Sequence, residues 1–505
     1  MFCLSRLPKL RPLPRPLLAA AHRLRIDLRC SISSSAPPQV SPRGDEEECG
    51  DFLPWLERKA GVEVSSCLSI GKSAYGRSLF SSKAIRAGDS ILKVPFNVEI
   101  SPDDLLPEIR SCKVGNVAKL AAVILKELKM GQDSDWAPYM RCLPQRKEMH
   151  STVFWSDEEL EMIKESSVYQ RTIDKKVGME REFSVLRHAL DRHFPEVSKD
   201  MEFEDFMHAC ALVESRAWES SKGYSLVPFA DFLNHDGLAK AVLLRDEQKQ
   251  FSEVIADRNY APGEQVLISY GKFSNAILLL DFGFTIPHNI HDEVQIQFNV
   301  PLQDPLFKMK LYFLQRHCLQ ITRKFGISKC SADNFTIKEV RSAKGKGTGI
   351  PQSLHAAVRV LSCTSLEELN DMEEEAAQND GRLGRRPLKN INREIQAHQL
   401  LLPHITKLID QYSASAKLMN PTGCPASKRG GIRRSMACEL LAGELHILKS
   451  AASWLEIKES VSGVRNPSLV FWWVPAAGSQ SEPSSLGACK SGVRIIRFSC
   501  SLLQS

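Results

Sequence analysis

The residues best placed to do chemistry are Asp231, Asn234, His235 and Tyr270. Asp231 stands inside the apolar run SLVPFADFLNHD, and Asn234-His235 stands where that run stops, which puts polar side chains at the lip of a buried element. An amide, an imidazole and a carboxylate there can hold a polar ligand by hydrogen bonds, although a lone histidine is more often structural than catalytic. Tyr270 closes a short β-type run that starts at Gln265, and Gly271 breaks it. Its phenol, with an ordinary pKa of about 10, is mostly protonated at neutral pH and makes a poor permanent base. Fourteen cysteines run from Cys3 to Cys500 with no CxxC pair and no Cys/His cluster at zinc spacing, so no metal is expected and the thiols are expected to be reduced.

Two stretches have to position these groups. The first, Ser225 to Asp236, delivers Asp231, Asn234 and His235. The second, Ala261 to Phe284, opens on the Pro262-Gly263 turn signal, passes through the strand to Tyr270 and ends in Phe282-Gly283-Phe284. In this order the two stretches resemble the carboxy-terminal half of a SET domain, the fold of S-adenosylmethionine-dependent protein lysine methyltransferases. The resemblance is to the plant Rubisco large-subunit methyltransferase group in particular, with its split SET domain, and it spans roughly Leu53 to Leu455.

The resemblance implies a role for each residue that matches the family pattern. Asn234 and His235 would bind the cofactor, S-adenosyl-L-methionine, and Tyr270 would be the catalytic residue facing its methyl group. Tyr75-Gly76-Arg77 matches the cofactor loop; Gly76 suits close backbone approach, and Ser78 stands where many relatives carry a second glycine. Ser215, Arg216 and Trp218 would lie near the substrate lysine channel, with Asp231 and Phe282 completing it. Arg216 is equally an ion-pair partner for Glu214 or Glu219, and Asp231 either accepts from the lysine region or caps a turn. Phe282 stands where relatives often have tyrosine; losing that hydroxyl leaves room for di- or trimethyllysine.

The implied reaction is an in-line displacement in which positive charge passes from sulfur to nitrogen. The site must deliver a neutral amine, although a free lysine has a pKa of about 10.4, and a dehydrated aromatic channel lowers that value. Alignment does much of the rest. A tyrosine hydroxyl contributes by accepting weak CH···O contacts from the polarised methyl and by orienting the amine.

The elements that carry these residues predict an α+β protein: a SET-domain β-fold interrupted by a helical insert and followed by an all-α C-terminal domain. Residues 45–104 form the first SET part, beginning with a helix near Phe52, Trp55 and Leu56. The runs LFSSKAI and SILKVP, joined at Arg86 to Asp89, read as a β-hairpin or meander. Residues 105–205 switch to helical spacing, with a capped start at Ser156 to Glu159 and a long amphipathic stretch from Val168 to His193. Residues 206–300 resume the SET strands. Residues 301–459 read as an amphipathic helical domain, a substrate-docking domain by resemblance, with basic loops at Ser342 to Gly349 and Asn420 to Arg434. Each loop is a solvated linker or a contact for an acidic partner surface. Residues 460–505 have no assignable periodicity and are expected to be a disordered tail, with Phe471-Trp472-Trp473 as an exposed apolar patch.

At 505 residues the chain has room for two or three domains, and its formal charge of +6 is concentrated at one end. Met1 to Arg43 holds eight lysines or arginines against Asp27 alone, so the remainder sums to −1 and composition favours no nucleic-acid partner. That Arg/Ser/Pro-rich stretch, residues 1–44, reads as a disordered transit peptide, to the chloroplast stroma, with the mitochondrion as runner-up. Its longest apolar run is far too short for a membrane span, so the partner expected is a soluble protein and not a membrane, and the chain is expected to be a monomer. Rubisco large subunit and fructose-bisphosphate aldolase are the substrates the resemblance suggests. Two other readings stay open: a protein-histidine methyltransferase, and a catalytically weak cofactor-binding docking module.

Overall fold

The β-type runs around the candidate residues are too short to make a sheet on their own, and the computed structural model shows how they are shared out. It describes residues 49–73, 76–220, 223–317, 334–341, 349–419, 428–463 and 493–495. These lie in one compact unit, Pro42–Ser505. The expected leader, Tyr75, residues 342–348 and 420–427, and Phe471-Trp472-Trp473 lie outside the described residues. The architecture is α+β, with a helical C-terminal region.

Helix α1 (Phe52–Ala60) buries Phe52 and Leu56 and ends on Gly61, whose φ of 74° lets it close the last turn. Strands β1 (Leu68–Ser73) and β2 (Gly76–Ser81) form an antiparallel hairpin in which Ser73 faces Gly76. The expected pairing of LFSSKAI with SILKVP does not form. Strand β3 (Ser90–Pro95) pairs instead with β8 (Phe251–Ile255), which pairs in turn with β7 (Leu243–Asp246). The reason lies in the Arg86–Asp89 turn. Ala87 N–H donates to Asn259 and Gly88 N–H to the Ala256 carbonyl, so the turn hands the chain across to distant partners. Ile91, Leu92 and Val94 are all buried even though β3 is the end strand of its sheet, and Lys93 N–H donates on its other side to the Val64 carbonyl.

Helical spacing in the insert resolves into α2 (Asn116–Met130), α3 (Ser167–His193) and α4 (Phe203–Arg216). The start at Ser156 is a capping box, with Glu159 N–H donating to Ser156 Oγ at 3.2 Å and Ser156 N–H to Glu159 Oε2 at 3.0 Å. The chain then forms the hairpin of β4 (Trp218–Ser220) with β5 (Gly223–Ser225). Strand β6 (Asn234–His235) follows, parallel to β9 (Leu267–Ile268).

Beyond β9, β10 (Glu293–Gln297) pairs antiparallel with β11 (Asn334–Lys338), a ribbon whose second strand falls inside a region read from its periodicity as helical. Around it pack α5 (Phe307–His317), α6 (Gln352–Ser362), α7 (Leu366–Ala377), α8 (Ile391–Leu418) and α9 (Lys428–Gly463). Two hydrophobic cores result. One joins α1, the SET strands, α2 and α4; the other joins β10, β11 and the C-terminal helices, and it also takes Trp155, Leu160, Ile163 and Val168 from the insert. The insert is therefore shared between both cores. No described helix is long and apolar enough to cross a membrane.

Three expectations change. Cys49 and Cys142 are joined in a disulfide, with Cα atoms 5.8 Å apart, so not all thiols are reduced. The stretch Asn420 to Arg434 is no loop over its second half, where Lys428 to Arg434 opens α9. In the tail expected to be disordered, β12 (Val493–Ile495) pairs antiparallel with β7. An edge strand offers unpaired backbone groups to any extended segment that reaches it.

Candidate active site

The β1–β2 turn and strand β6 come from opposite ends of the SET region and meet at one amide. Asn234 Nδ2 donates to Ser73 Oγ at 3.3 Å and to the Arg77 carbonyl at 3.4 Å. Gly76 between them has φ of 100°, a conformation that favours glycine, and nothing lies where a Cβ would project. Arg77 Nη1 donates to the Cys142 carbonyl at 2.8 Å, which ties the turn to the insert. Ser78 is fully buried and its hydroxyl accepts from Gln265 Nε2 at 2.8 Å. The Ser78 side chain thus closes a contact between β2 and the strand run leading to Tyr270.

His235 is fixed by β9. Tyr270 N–H donates to its Nδ1 at 3.1 Å and the Ile268 carbonyl lies 3.4 Å from the same nitrogen; the shorter contact assigns the ring hydrogen to Nε2. Burial holds the imidazole below its usual pKa, hence neutral. The ring stacks on Tyr270 with centroids 4.9 Å apart. The Tyr270 hydroxyl donates to the Leu233 carbonyl at 2.6 Å. Burial pushes its pKa well above the ordinary phenol value; Arg216 opposes that rise and Asp231 adds to it. The hydroxyl therefore stays protonated, with its hydrogen on the Leu233 carbonyl. Phe282 lies 5.5 Å from the Tyr270 ring, 5.6 Å from Phe273 and 6.2 Å from Phe284, and these four rings make an aromatic wall.

Phe282 ends a π-helical turn, Leu278–Phe282, and Gly283 follows with φ of 78°. A Cβ on Gly283 would come within 2.6 Å of the Ser151 amide nitrogen, so the glycine lets the insert backbone reach the aromatic wall. Behind that wall Asp231 is fully buried. Its Oδ2 accepts from Tyr139 Oη at 2.9 Å and from Arg216 Nη1 at 3.0 Å. Burial raises the Asp231 pKa, and Arg216 and Tyr139 oppose the rise. Its Oδ1 is buried without a hydrogen-bond partner, an acceptor left over. Phe229, just upstream, has φ of 73° and ψ of −47°, close to the strained classic γ-turn, which aims the Ala230–Phe232 turn inward.

The structure thus brings together Gly76, Arg77, Asn234, His235, Tyr270, Phe282, Asp231 and Arg216. Arg216 pairs with Asp231, and neither of the partners expected from its neighbours, Glu214 or Glu219, takes it. Ser215 does not join the group: its hydroxyl donates back to the Ala211 carbonyl at 2.7 Å. Trp218 is 1% exposed and belongs to the SET core. Tyr75 lies outside the described residues. Sequence reasoning missed Tyr139, 92 positions from Asp231, and a buried triad in which Lys175 Nζ lies 2.7 Å from Glu214 Oε2 and 2.8 Å from Asp281 Oδ1. The one available signal was a lysine on the apolar side of α3.

Comparison with known proteins places these features in a family. A SET domain model matches residues 76–271, and a Rubisco LSMT substrate-binding model matches residues 301–448. The chloroplastic [fructose-bisphosphate aldolase]-lysine N-methyltransferase of Arabidopsis thaliana is 28% identical over 300 residues, covering 56% of this chain and 61% of that protein. The actin-histidine N-methyltransferase of Homo sapiens is 25% identical over 305 residues, covering 56% of this chain and 50% of that protein. The chain therefore spans between half and two thirds of the length of these curated relatives. Among solved structures, the SET domain of LSMT bound to lysine and AdoHcy superposes with a TM-score of 0.64 at 21% identity, covering 83% of this chain and 92% of that one. The chain thus carries a SET domain followed by a Rubisco LSMT substrate-binding domain.

Proposed function

We propose that the chain is an S-adenosylmethionine-dependent protein-lysine N-methyltransferase acting on a soluble non-histone protein of the plastid stroma, with Rubisco large subunit and fructose-bisphosphate aldolase as candidates. The observation that carries this reading is the junction of Asn234 with Ser73 and Arg77 beside a protonated Tyr270 hydroxyl in an aromatic wall. The residues present fit the cofactor: a positive-φ glycine in a tight turn, a carboxamide bridging two strands, and a neutral imidazole. Gly76, Arg77, Asn234 and His235 would hold S-adenosylmethionine, with Tyr75 joining them by family resemblance; the bound group supplies an electrophilic methyl. The chloroplastic Arabidopsis relative favours the plastid over the mitochondrion.

The chain's own residues do the remaining work. The Tyr270, Phe282, Phe284 and Phe273 rings exclude water, which disfavours the charged form of an incoming lysine. The Asp231 carboxyl would oppose that by attracting the ammonium, and Arg216 with Tyr139 offsets its charge. With its proton committed to Leu233, the Tyr270 oxygen is an acceptor aimed at the reacting centre and not a base. The lysine proton leaves to solvent.

The test incubates the chain with labelled S-adenosylmethionine and unmethylated Rubisco, aldolase or stromal extract, beside Tyr270→Phe. Label enters a protein with the parent, and the variant loses about 100-fold in kcat while its cofactor Kd moves less than about threefold. A variant as active as the parent removes Tyr270 from the chemistry. Cofactor binding without any labelled protein favours the docking-module reading. The actin-histidine relative supports a second reading, and hydrolysis of the labelled product separates the two, because methylhistidine in place of methyllysine would reassign the acceptor.

A further inference from the structure

A concave site lies beside the segment that approaches the aromatic wall. His150 and Ser151 approach Gly283. The residues just after them, Val153 to Ser156, line a cleft of about 460 Å³, closed by the opening turns of α9. That volume falls in the range of ligand-binding clefts. Its charged lining is unbalanced: Arg146, Lys147, Arg429 and Arg433 face Glu159 and Glu204. Glu159 is already taken, because Arg433 Nη1 pairs with it.

The two inner guanidiniums converge. Arg429 Nη2 donates to the Met149 carbonyl at 3.2 Å and Arg433 Nη2 donates to the same carbonyl at 3.3 Å. The Nε of each is buried without a hydrogen-bond partner, and Arg433 is only 3% exposed. At the rim, Arg146 and Lys147 are exposed and make no ion pair among the described residues. Neighbouring groups register the excess positive charge. Burial together with Arg433 and Arg429 pushes His150 down to about 4, and burial together with Arg433 lowers the Lys176 ammonium. Unpaired buried donors beside concentrated cations are the arrangement that favours a carboxylate-bearing ligand.

We propose that this cleft docks an acidic segment of the protein substrate while a side chain of the same protein enters the aromatic site. The inference rests on the methyltransferase reading for its purpose. A polypeptide fits better than a nucleic acid because the chain after Arg43 sums to −1, which leaves the positive charge local to this cleft. The cleft lies where the insert packs on the helical domain, so it draws one recognition surface from both.

The test reads binding without methyl transfer, so failure of the methyltransferase reading does not mask it. Fluorescence anisotropy follows a labelled hexaglutamate peptide on the full chain, with hexaglutamine as neutral probe. Arg146→Glu/Lys147→Glu reverses two exposed rim charges; the turn carrying them is held by Gln145 and Glu148, so the fold is spared. Lys113→Glu/Lys199→Glu reverses two exposed lysines outside the cleft as a charge-matched control. Hexaglutamate binding weakens by about tenfold or more in the rim variant and less than about twofold in the control. On an acceptor protein the rim variant raises KM by a similar factor while kcat stays within about threefold. Equal hexaglutamate affinity in both variants, hexaglutamine binding as well as hexaglutamate, or an unchanged KM in the rim variant overturns the proposal.

Discussion

At the residue scale the site depends on one hydroxyl that is present and one that is absent. Tyr270 keeps its proton because burial raises its pKa and the Leu233 carbonyl takes the O–H bond, which fits the proposed role of offering lone pairs. The absent hydroxyl is at Phe282, whose ring stands 5.5 Å from Tyr270 and 5.6 Å from Phe273. An oxygen added there would hold the amine by one more bond and occupy space that a second or third methyl needs. Discrimination over one methyl-sized group is worth about 1–3 kcal/mol, roughly 10- to 200-fold. Phe282→Tyr is therefore expected to shift the product from di- and trimethyllysine toward monomethyllysine by at least about tenfold, read by mass spectrometry of exhaustively reacted substrate. An unchanged product ladder would remove Phe282 from control of methylation state. Asn234, His235 and Tyr270 were singled out because a polar pair ending an apolar run and a strand-end tyrosine stand in the order of the SET resemblance, and the structure brings His235 and Tyr270 into contact. Tyr139 was not, because nothing near it in the chain announces a hydrogen bond to Asp231, 92 positions away.

At the scale of elements, helical periods were legible and strand partners were not. The apolar spacing of α2, α3 and α4 depends only on neighbours three and four residues apart, whereas β3 finds β8 some 160 positions away through contacts made by a turn. What holds the helices in register with the site is the triad of Lys175 on α3, Glu214 on α4 and Asp281 in the π-helical turn that ends at Phe282. All three side chains are at most 8% exposed. Burial works against the Lys175 charge, yet the two carboxylates overcome it and hold its pKa above the usual range. Removing the cation leaves two buried carboxylates facing each other, a loss of about 3–5 kcal/mol, whereas neutralising all three removes the mismatch with the charge. Lys175→Met should therefore lower the unfolding free energy by about that amount, and Lys175→Met/Glu214→Gln/Asp281→Asn should recover most of it. Urea unfolding followed by circular dichroism decides: a single variant within about 1 kcal/mol of the parent, or a triple variant no better than the single, would mean the triad does not bind these elements together.

At the scale of the whole molecule, the amphipathic helices announced a C-terminal helical region, but nothing in their periodicity disclosed how its charged groups meet the rest. One such meeting is Glu444 on α9, which is 0% exposed. Its Oε1 accepts from Ser166 Oγ at 2.9 Å, on the insert side, and its Oε2 lies 3.0 Å from Tyr412 Oη on α8. The Tyr412 oxygen is also 2.8 Å from the Glu165 carbonyl. A phenol has one proton to donate, so both contacts are satisfied together when Tyr412 donates to Glu165 and a protonated Glu444 donates to Tyr412. Burial, with the Asp292 charge adding to it, pushes the Glu444 pKa up to about 8; a hydrogen bond from Ser166, and one from Tyr412 when the carboxylate is ionised, work against the rise. The sign of the consequence follows from proton counts. Between the unfolded value of 4.5 and about 8 the folded chain holds a proton that the unfolded chain has released, so stability falls as pH rises through that window. The slope approaches about 1.4 kcal/mol per pH unit from this group and vanishes above about pH 8, where both states are ionised. Glu444→Gln keeps an acceptor for Ser166 and presents an N–H to Tyr412 that titrates nowhere in this range. Unfolding free energies at several pH values between 6 and 8 should therefore show the variant gaining on the parent by about 1 kcal/mol per unit, with a plateau above that window. A difference independent of pH would mean that Glu444 is ionised in the folded protein and that Tyr412 donates to it, leaving the Glu165 carbonyl to another donor.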